Sequence, residues 1–553
     1  MMRPKRWSVL SVALVLSLAW VGCAREEPLV DTLNFALGLE PTTLDPALPT
    51  DVYSVWVIHE LFPGLTDFDP QSGEVVPRLA TGWDTTSDGL TWTFSLRDDV
   101  YWAHYDPQTS ESVRERLLTA HDVAYAVRRF FDPATAAPMA YAAYAIKNAR
   151  EINTAEIDDM DALGVQALDD HTVQFTLVEP AAYWPSLMAM IWFSPVPREA
   201  IEQHGPEWTE AGNTWTYGPY LLGEWKHDHR IELIQNPHYY DAKAVSIATI
   251  NVLLAVDSST LVTMYETGEL DTTMVAPGEL DRLRADPELS QQLQVVPVPT
   301  TNYVGFNLGK APVDSALVRK ALSAAIDREA LVQNVLRGDE VPARTFTAPG
   351  VFGSPAGDPA FAGITFDPEQ ARQWLAEAGY PGGQGFPTLQ LWFTHTAAGG
   401  NPFPKIAPFI QQQWGEHLGV EVKLASQEWK AYLQTINTDP PAVWSIGWNA
   451  VFPDAHCTLL WPFHPTEGMD KLRWDPADPA AQRYMELTEQ AAAETDAEVR
   501  RALYFEAEQI LCEEQAGVIP LYHETERWLT KPYVERTPRR LYLHLYRWKV
   551  RAH

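Results

Sequence analysis

A chain of 553 residues and 62.1 kDa has room for roughly three or four domain-sized units. With 46% hydrophobic and 21% charged residues, 43 Pro and 31 Gly, its composition is that of a large globular protein, which excludes a collagen, a coiled coil and a disordered tail protein. Forty-one Lys and Arg stand against 73 Asp and Glu, a net charge of -32; that balance offers no electrostatic footprint for nucleic acid or an anionic membrane surface.

The first 22 residues read as an export signal. Arg3, Lys5 and Arg6 precede an apolar run from Trp7 to Gly22, shorter than the ~20 residues a membrane-spanning helix needs. The run ends at Cys23, and Gly22-Cys23 resembles a bacterial lipobox, although Trp20 stands where leucine is usual. Lipid attachment at Cys23, a plain cleaved signal and an uncleaved anchor stay open; each places the remaining chain outside the cytoplasm. Removing 1–22 takes away three bases and no acid, so the mature chain is more acidic still. Cys457 and Cys512 are then the candidate disulfide of an exported protein, with two buried free thiols as the alternative. No C-x-x-C or cysteine-histidine cluster occurs, which removes zinc-ribbon and thioredoxin-like sites.

In chain order, the pattern predicts a strand over 30–37, a Pro41/Pro46 turn, and a helix over 53–62 stopped by Pro63-Gly64. Alternation over 90–102 predicts one strand, and 103–115 reads as a polar loop. Thr119 and Asp122 form a capping-box pattern that opens a helix ending before Pro133. A hairpin is expected over 165–178 around Asp169-Asp170, strands over 231–236 and 248–256, and a helix from Ser258 to Gly268. Two extended runs occupy 293–308. A long helix is expected over 315–336, then a helix over 367–378, a strand over 388–393, a helix over 409–417 and a strand over 419–426. The chain returns at Ile519-Pro520-Leu521-Tyr522. Alternating helices and strands indicate an α/β fold with mostly parallel sheets.

Enzyme motifs are absent. There is no G-x-S-x-G, and neither His59-Glu60 nor His523-Glu524 is followed by the second histidine of a zinc helix. Gly382-Gly383-Gln384-Gly385 lacks a phosphate-binding lysine. Acid pairs such as Asp158-Asp159 and Asp169-Asp170 read as solvated surface, and no cofactor or metal is called for. The 21 Trp, 21 Tyr and 20 Phe are unusual, because rings both fill cores and line ligand clefts. Trp102, Trp184 and Trp192 read as core; Trp444 and Trp448, flanking Ser445-Ile446-Gly447, suit either a cleft wall or packing.

Several motifs occur in one order: Glu40-Pro41 with Leu44-Asp45-Pro46, Leu118-Thr119-Ala120-His121-Asp122-Val123, Gly218-Pro219-Tyr220 and Asn236-Pro237-His238-Tyr239-Tyr240. They continue with Tyr265-Glu266-Thr267-Gly268-Glu269-Leu270-Asp271, Val318-Arg319-Lys320-Ala321-Leu322 with Ile326-Asp327-Arg328, and Leu375-Ala376-Glu377-Ala378-Gly379-Tyr380. Gln427-Glu428-Trp429-Lys430 and Gly447-Trp448 complete the series. Together they make the chain resemble the oligopeptide-binding receptors of bacterial ABC importers, in the peptide and nickel receptor family.

That resemblance implies a two-lobed, periplasmic-binding-protein-like clamp of three structural units with two hinge-crossing strands. The first lobe core would take 23–73, 188–298 and 518–553, an extra unit of that lobe 74–187, and the second lobe 299–517. It also implies capture of oligopeptides by hinge closure and delivery to a membrane permease, with no chemistry performed. The receptor would be a monomer in the cell envelope, periplasmic or held to the membrane by lipid alone.

In the family's peptide binders an aspartate of a G-W-x-A-D-Y-type segment holds the ligand ammonium. Here the segment is Gly447-Trp448-Asn449-Ala450-Val451-Phe452, so the anchor position is Val451. Ser445 and Ile436 stand where the family often carries bases, which makes this wall more apolar. Asp454 is a candidate replacement anchor. The ligand-facing set is therefore Trp429, Trp448, Asn449, Val451 and Asp454, with Tyr217 and Tyr303 beside them. A changed cargo, such as an oligosaccharide stacked on tryptophan, is the alternative to a peptide.

Overall fold

A computed structural model describes residues 31–37, 39–254, 257–395, 402–537 and 541–552; Cys23 and the export segment lie outside them. Ten strands run side by side in one sheet. Their order is Tyr220–Lys226, Arg230–Gln235, Thr249–Leu253, Thr32–Ala36, Thr272–Met274, Val518–Thr530, Leu293–Phe306, Val443–Asn449, Leu389–Thr394 and Val422–Gln427; Val341–Pro342 adds an eleventh beside Val518–Thr530. Parallel pairing is confined to two patches, Thr32–Ala36 with its two neighbours and Leu389–Thr394 with its two. The central pair, Leu293–Phe306 with Val518–Thr530, is antiparallel. The mostly parallel sheet expected from alternating elements is thus a mixed one, because two long strands pass between the patches instead of ending in crossover helices.

Those long strands differ from the sequence reading in another respect. Prolines 297 and 299 do not split Leu293–Phe306; they coincide with a register shift between Pro297 and Thr301 against Val518–Thr530. A proline has no N–H to give the ladder, so the pairing loosens there while the strand continues. At Gly305 an added Cβ would sit 2.4 Å from the Trp444 ring, and the glycine lets that indole lie flat across the strand.

A second, four-stranded antiparallel sheet joins Ala80–Thr85, Thr91–Leu96, Thr172–Thr176 and Val165–Asp169. Helix Ala120–Phe131 packs on it, opened by the expected Thr119/Asp122 capping box. Asp122 also takes Arg116 at 2.7 Å and the Trp102 indole at 3.4 Å. Residues 103–115 are not a loop: Tyr101–Asp106 and Glu111–Leu117 form a hairpin. The turn is fixed by Asp106, which accepts from the Gln108 amide and the Thr109 hydroxyl. Both hairpin faces carry polar groups, including His104 3.1 Å from Glu115, so the apolar alternation that marks a half-buried strand is missing. The single strand expected over 90–102 is likewise two, Thr91–Leu96 and Tyr101–Asp106.

The helix expected over 315–336 breaks. Ala316–Ala324 ends, and Asp327 accepts the Ala330 amide to start a new turn that widens into a π-helical segment, Leu331–Leu336. An aspartate that caps is a stop as well as a start. Helix Phe403–Leu418 is longer than expected and runs through Pro408.

Apolar packing divides the chain. One large cluster combines the first sheet patch, the four-stranded unit and the segment 542–550. Two further clusters fill the region from Tyr303 to Tyr522. Trp102, Trp184 and Trp444 are fully buried and Trp192 nearly so; each such ring contributes about 2–3 kcal/mol through burial. No helix among the described residues is long and apolar enough to cross a membrane.

Candidate functional site

The wall singled out by sequence is the end of Val443–Asn449 and the turn after it. Pairing with Leu293–Phe306 sets Asn302 opposite Gly447, Thr301 opposite Trp448 and Thr300 opposite Asn449. The half-buried Trp448 donates its indole N–H to the Cys457 carbonyl at 3.0 Å, and Lys471 Nζ lies 5.8 Å from its ring. Burial lowers Lys471 to about 8. The exposed Asn449 donates to the Thr300 hydroxyl at 2.8 Å. Val451 is half-buried against the large apolar cluster. Trp429 opens helix Trp429–Thr438 and is 37% exposed.

Three members of the expected set sit elsewhere. Asp454 is 2% exposed and pairs with Arg500 at 2.8 Å, while accepting the His456 amide and the Tyr504 hydroxyl. Its charge is spent inside the fold, and its role is to shape the turn. Tyr217 is buried and donates to the Pro63 carbonyl at 2.5 Å, edge-on to Trp102. Tyr303 is enclosed by Phe346, Trp444 and Phe463. Both tyrosines are core rings. Trp444 is core too, and Ser445 and Ile436 are buried. A strand's alternate faces cannot both meet the cleft, and Tyr303 and Trp444 take the inner one.

Cys457 and Cys512 are separate free thiols, both buried. Cys457 donates to the Phe452 and Asp454 carbonyls, each at 3.1 Å, and Cys512 lies 3.6 Å from Glu508. They belong to different apolar clusters, and the expected disulfide is not formed.

The turn holding Asp454 also touches the four-stranded unit across the molecule. Tyr183 stacks on His456 at 3.8 Å and on Phe452 at 6.0 Å, Tyr141 meets Trp461 at 5.9 Å, and the Ala182 amide donates to the Ala492 carbonyl.

Elsewhere, on the central strand Val518–Thr530, lies a cavity of about 650 Å³. One side is formed by Leu37, Tyr53, Leu261 and Met274; the other by Val335, Leu336 and Lys405; and the floor by Tyr522, Glu524, Thr525, Glu526 and Arg527 with Glu340. Arg527 pairs with Glu340 and lies 3.7 Å from Asp339. Glu524 accepts from the Asn302 amide at 2.5 Å and has no salt bridge among the described residues. Burial pushes its carboxyl up, and neighbouring Glu340 adds to this. Sequence reading missed these floor residues. The signal was there: His523-Glu524 was weighed only as a zinc motif, while polar residues filling a strand that returns through the middle of the molecule mark a wetted face.

A second polar cluster lies away from the cavity. Asp67 Oδ1 is 3.5 Å from His59 Nε2 and 3.1 Å from His544 Nε2, and Arg78 Nε is 3.8 Å from Oδ2. Among the described residues this is the one His/Asp/Glu/Cys group spaced to hold a metal ion, but Arg78 already supplies its counter-charge. Glu60 accepts the Leu545 and Tyr546 amides alongside. The cluster fastens the C-terminal segment to helix Val52–Leu61.

Residues 74–470 match the family described as bacterial extracellular solute-binding proteins, family 5. The chain belongs to this family. It is similar to the periplasmic oligopeptide-binding protein OppA of Salmonella typhimurium, 32% identical over 511 residues that cover 90% of this chain and 88% of OppA. It is also similar to the probable deoxycholate-binding periplasmic protein YgiS of Escherichia coli, 31% identical with 90% and 88% covered. Among solved structures it is similar to the unliganded open form of the murein tripeptide-binding protein MppA, at a TM-score of 0.78 and 31% identity over 96% of this chain and 99% of that one. As in other family 5 proteins, the fold is a two-lobed α/β clamp.

Proposed function

We propose that this family 5 protein is an extracytoplasmic receptor that captures oligopeptides between its lobes and hands them to the permease of an ABC importer. The observation that carries the reading is the cavity of about 650 Å³ floored by the long strand Val518–Thr530, of a size suited to a small ligand, in a chain similar to OppA and MppA. Opposed apolar sides suit ligand side chains, and a polar floor suits backbone and terminal groups. Capture is a hinge closure that buries the ligand, and the closed form is what the permease would read. The protein binds and releases; it is not an enzyme. The second lobe, 299–517, would close against a first lobe made of 23–73, 188–298 and 518–553 together with its extra unit, 74–187. Cys23 would carry the lipid that holds a monomeric receptor at the membrane surface.

Native mass spectrometry of the chain beginning after Cys23, purified without denaturation, tests the reading. Adducts that fragment into amino-acid residue masses support peptide cargo. A single adduct of hexose or other non-peptide mass would replace it with the alternative suggested by Val451.

A further inference from the structure

We infer that Glu524, on the cavity floor, receives the ligand's ammonium group in place of the acid missing at Val451, with the hydroxyl of Tyr522 on the same strand face completing the site. The assignment rests on the peptide reading above. Three observations carry it. First, charges in the cavity do not balance: Glu340, Glu524 and Glu526 line it against Lys405 and Arg527. Arg527 is taken up by Glu340 and Asp339. Glu526 accepts the Trp528 indole N–H at 3.2 Å. Among the described residues Glu524 is left with one neutral amide donor, Asn302. A carboxylate enclosed when the lobes close needs a cation or must give up its charge.

Second, Tyr522 lines the same cavity, stands two residues from Glu524 on the same strand face, is 2% exposed, and its hydroxyl has no hydrogen-bond partner among the described residues. A buried hydroxyl without a partner on the same face as an unpaired acid is a group placed for a ligand. An ammonium brings three donors, enough for the carboxylate and this hydroxyl.

Third, the Glu524 site is connected to the wall that holds the family's usual anchor. Asn302, which donates to Glu524, sits opposite Gly447 in the ladder, and a Cβ on Gly447 would lie 3.1 Å from the Asn302 Oδ1. Moving the acid from the 447–452 segment to the central strand shifts it by one strand of the ladder, across Leu293–Phe306.

The test is calorimetric titration of the chain beginning after Cys23 with trialanine, N-acetyl-trialanine and N-acetyl-Ala-Lys-Ala. Wild-type protein should prefer trialanine to its acetylated form by at least about tenfold. Glu524→Gln should abolish that preference, while Glu524→Asp, which keeps the charge, should retain most of it; circular dichroism checks that both variants fold. If N-acetyl-Ala-Lys-Ala binds as well as trialanine in wild type and not in Glu524→Gln, the site takes a side-chain ammonium equally, and the assignment stands. If wild type prefers free amines and Glu524→Gln keeps the preference, the anchor assignment is overturned and the peptide reading survives. If wild type binds none of the three, the peptide reading fails and the assignment with it.

Discussion

Arg500 donates to the Asp454 carboxylate at 2.8 Å, with both side chains more than nine-tenths buried. The pair lies three residues beyond Val451, inside the turn that meets Tyr183 of the four-stranded unit. An ion pair so enclosed is costly to break, because the survivor stays buried and uncompensated. Asp454→Asn should therefore weaken folding by about 3 kcal/mol, read as a lower urea midpoint with unchanged slope. The preference for free-amine peptides should be untouched. A stable variant that lost this preference would show that Asp454 faces the ligand.

Val451→Asp returns an acid to the family's anchor position. A charge-assisted hydrogen bond is worth roughly 1.5–3 kcal/mol, so affinity for trialanine should rise about tenfold, and N-acetyl-trialanine should gain nothing. The same substitution in the Glu524→Gln background should restore the lost amine preference. Equal gains for both peptides would mean that the new carboxylate acts through packing.

Both internal thiols should be chemically silent. Cys457 and Cys512 are fully enclosed, and burial pushes Cys457 up to about 12 and Cys512 well above its ordinary value. A thiol-disulfide reagent such as DTNB should find no reactive group in the native chain beginning after Cys23 and two after unfolding. A reductant should leave the unfolding midpoint unchanged. A midpoint that drops on reduction would point to a disulfide in solution.

His523 sits on the central strand, sharing a hydrogen bond of 2.8 Å with Thr301, and burial lowers it from its ordinary 6.5 to about 4. Its folded value lies below its unfolded one, so between pH 6.5 and 4 the unfolded chain binds a proton that the folded chain refuses. The stabilisation it gives is full above 6.5 and is lost as pH falls towards 4. Relative to wild type, His523→Gln should thus gain about 3 kcal/mol between pH 7 and pH 4, measured by urea unfolding at the two pH values. Glu60, raised to about 7 by burial, acts in the opposite direction in both proteins and cancels from the difference. Parallel pH profiles for wild type and variant would show that His523 stays charged in the fold.

Local chemistry made much of the architecture readable. The Thr119/Asp122 box opens its helix, Gly268 ends one in the left-handed conformation, and the Asp169-Asp170 hairpin pairs as expected. Each of these depends on neighbours in sequence. The failures depend on neighbours in space. The 101–117 hairpin lies too open to solvent to show an apolar rhythm. Whether a tyrosine such as Tyr303 meets a ligand or Phe346 depends on which face of its strand the second lobe covers. Val451 was legible as a missing acid because a motif frames it. Glu524 was not, because only the pairing of Val518–Thr530 with Leu293–Phe306 carries it to the cavity.

Those two strands remain hydrogen-bonded to each other while also holding a neighbour on either side. The lobes are consequently not two bodies on a slack tether; rotation of one against the other becomes torsion within a single ribbon. The ladder is interrupted between Pro297 and Thr301 and again between Asn302 and Tyr303, and torsion concentrates where rungs are missing. That places the pivot beside Asn302 and Glu524. Displacement grows with distance from a pivot, so the cavity floor keeps nearly constant dimensions while groups remote from it move furthest. A ligand seated on the floor would find its polar partners already in place before the rim shuts.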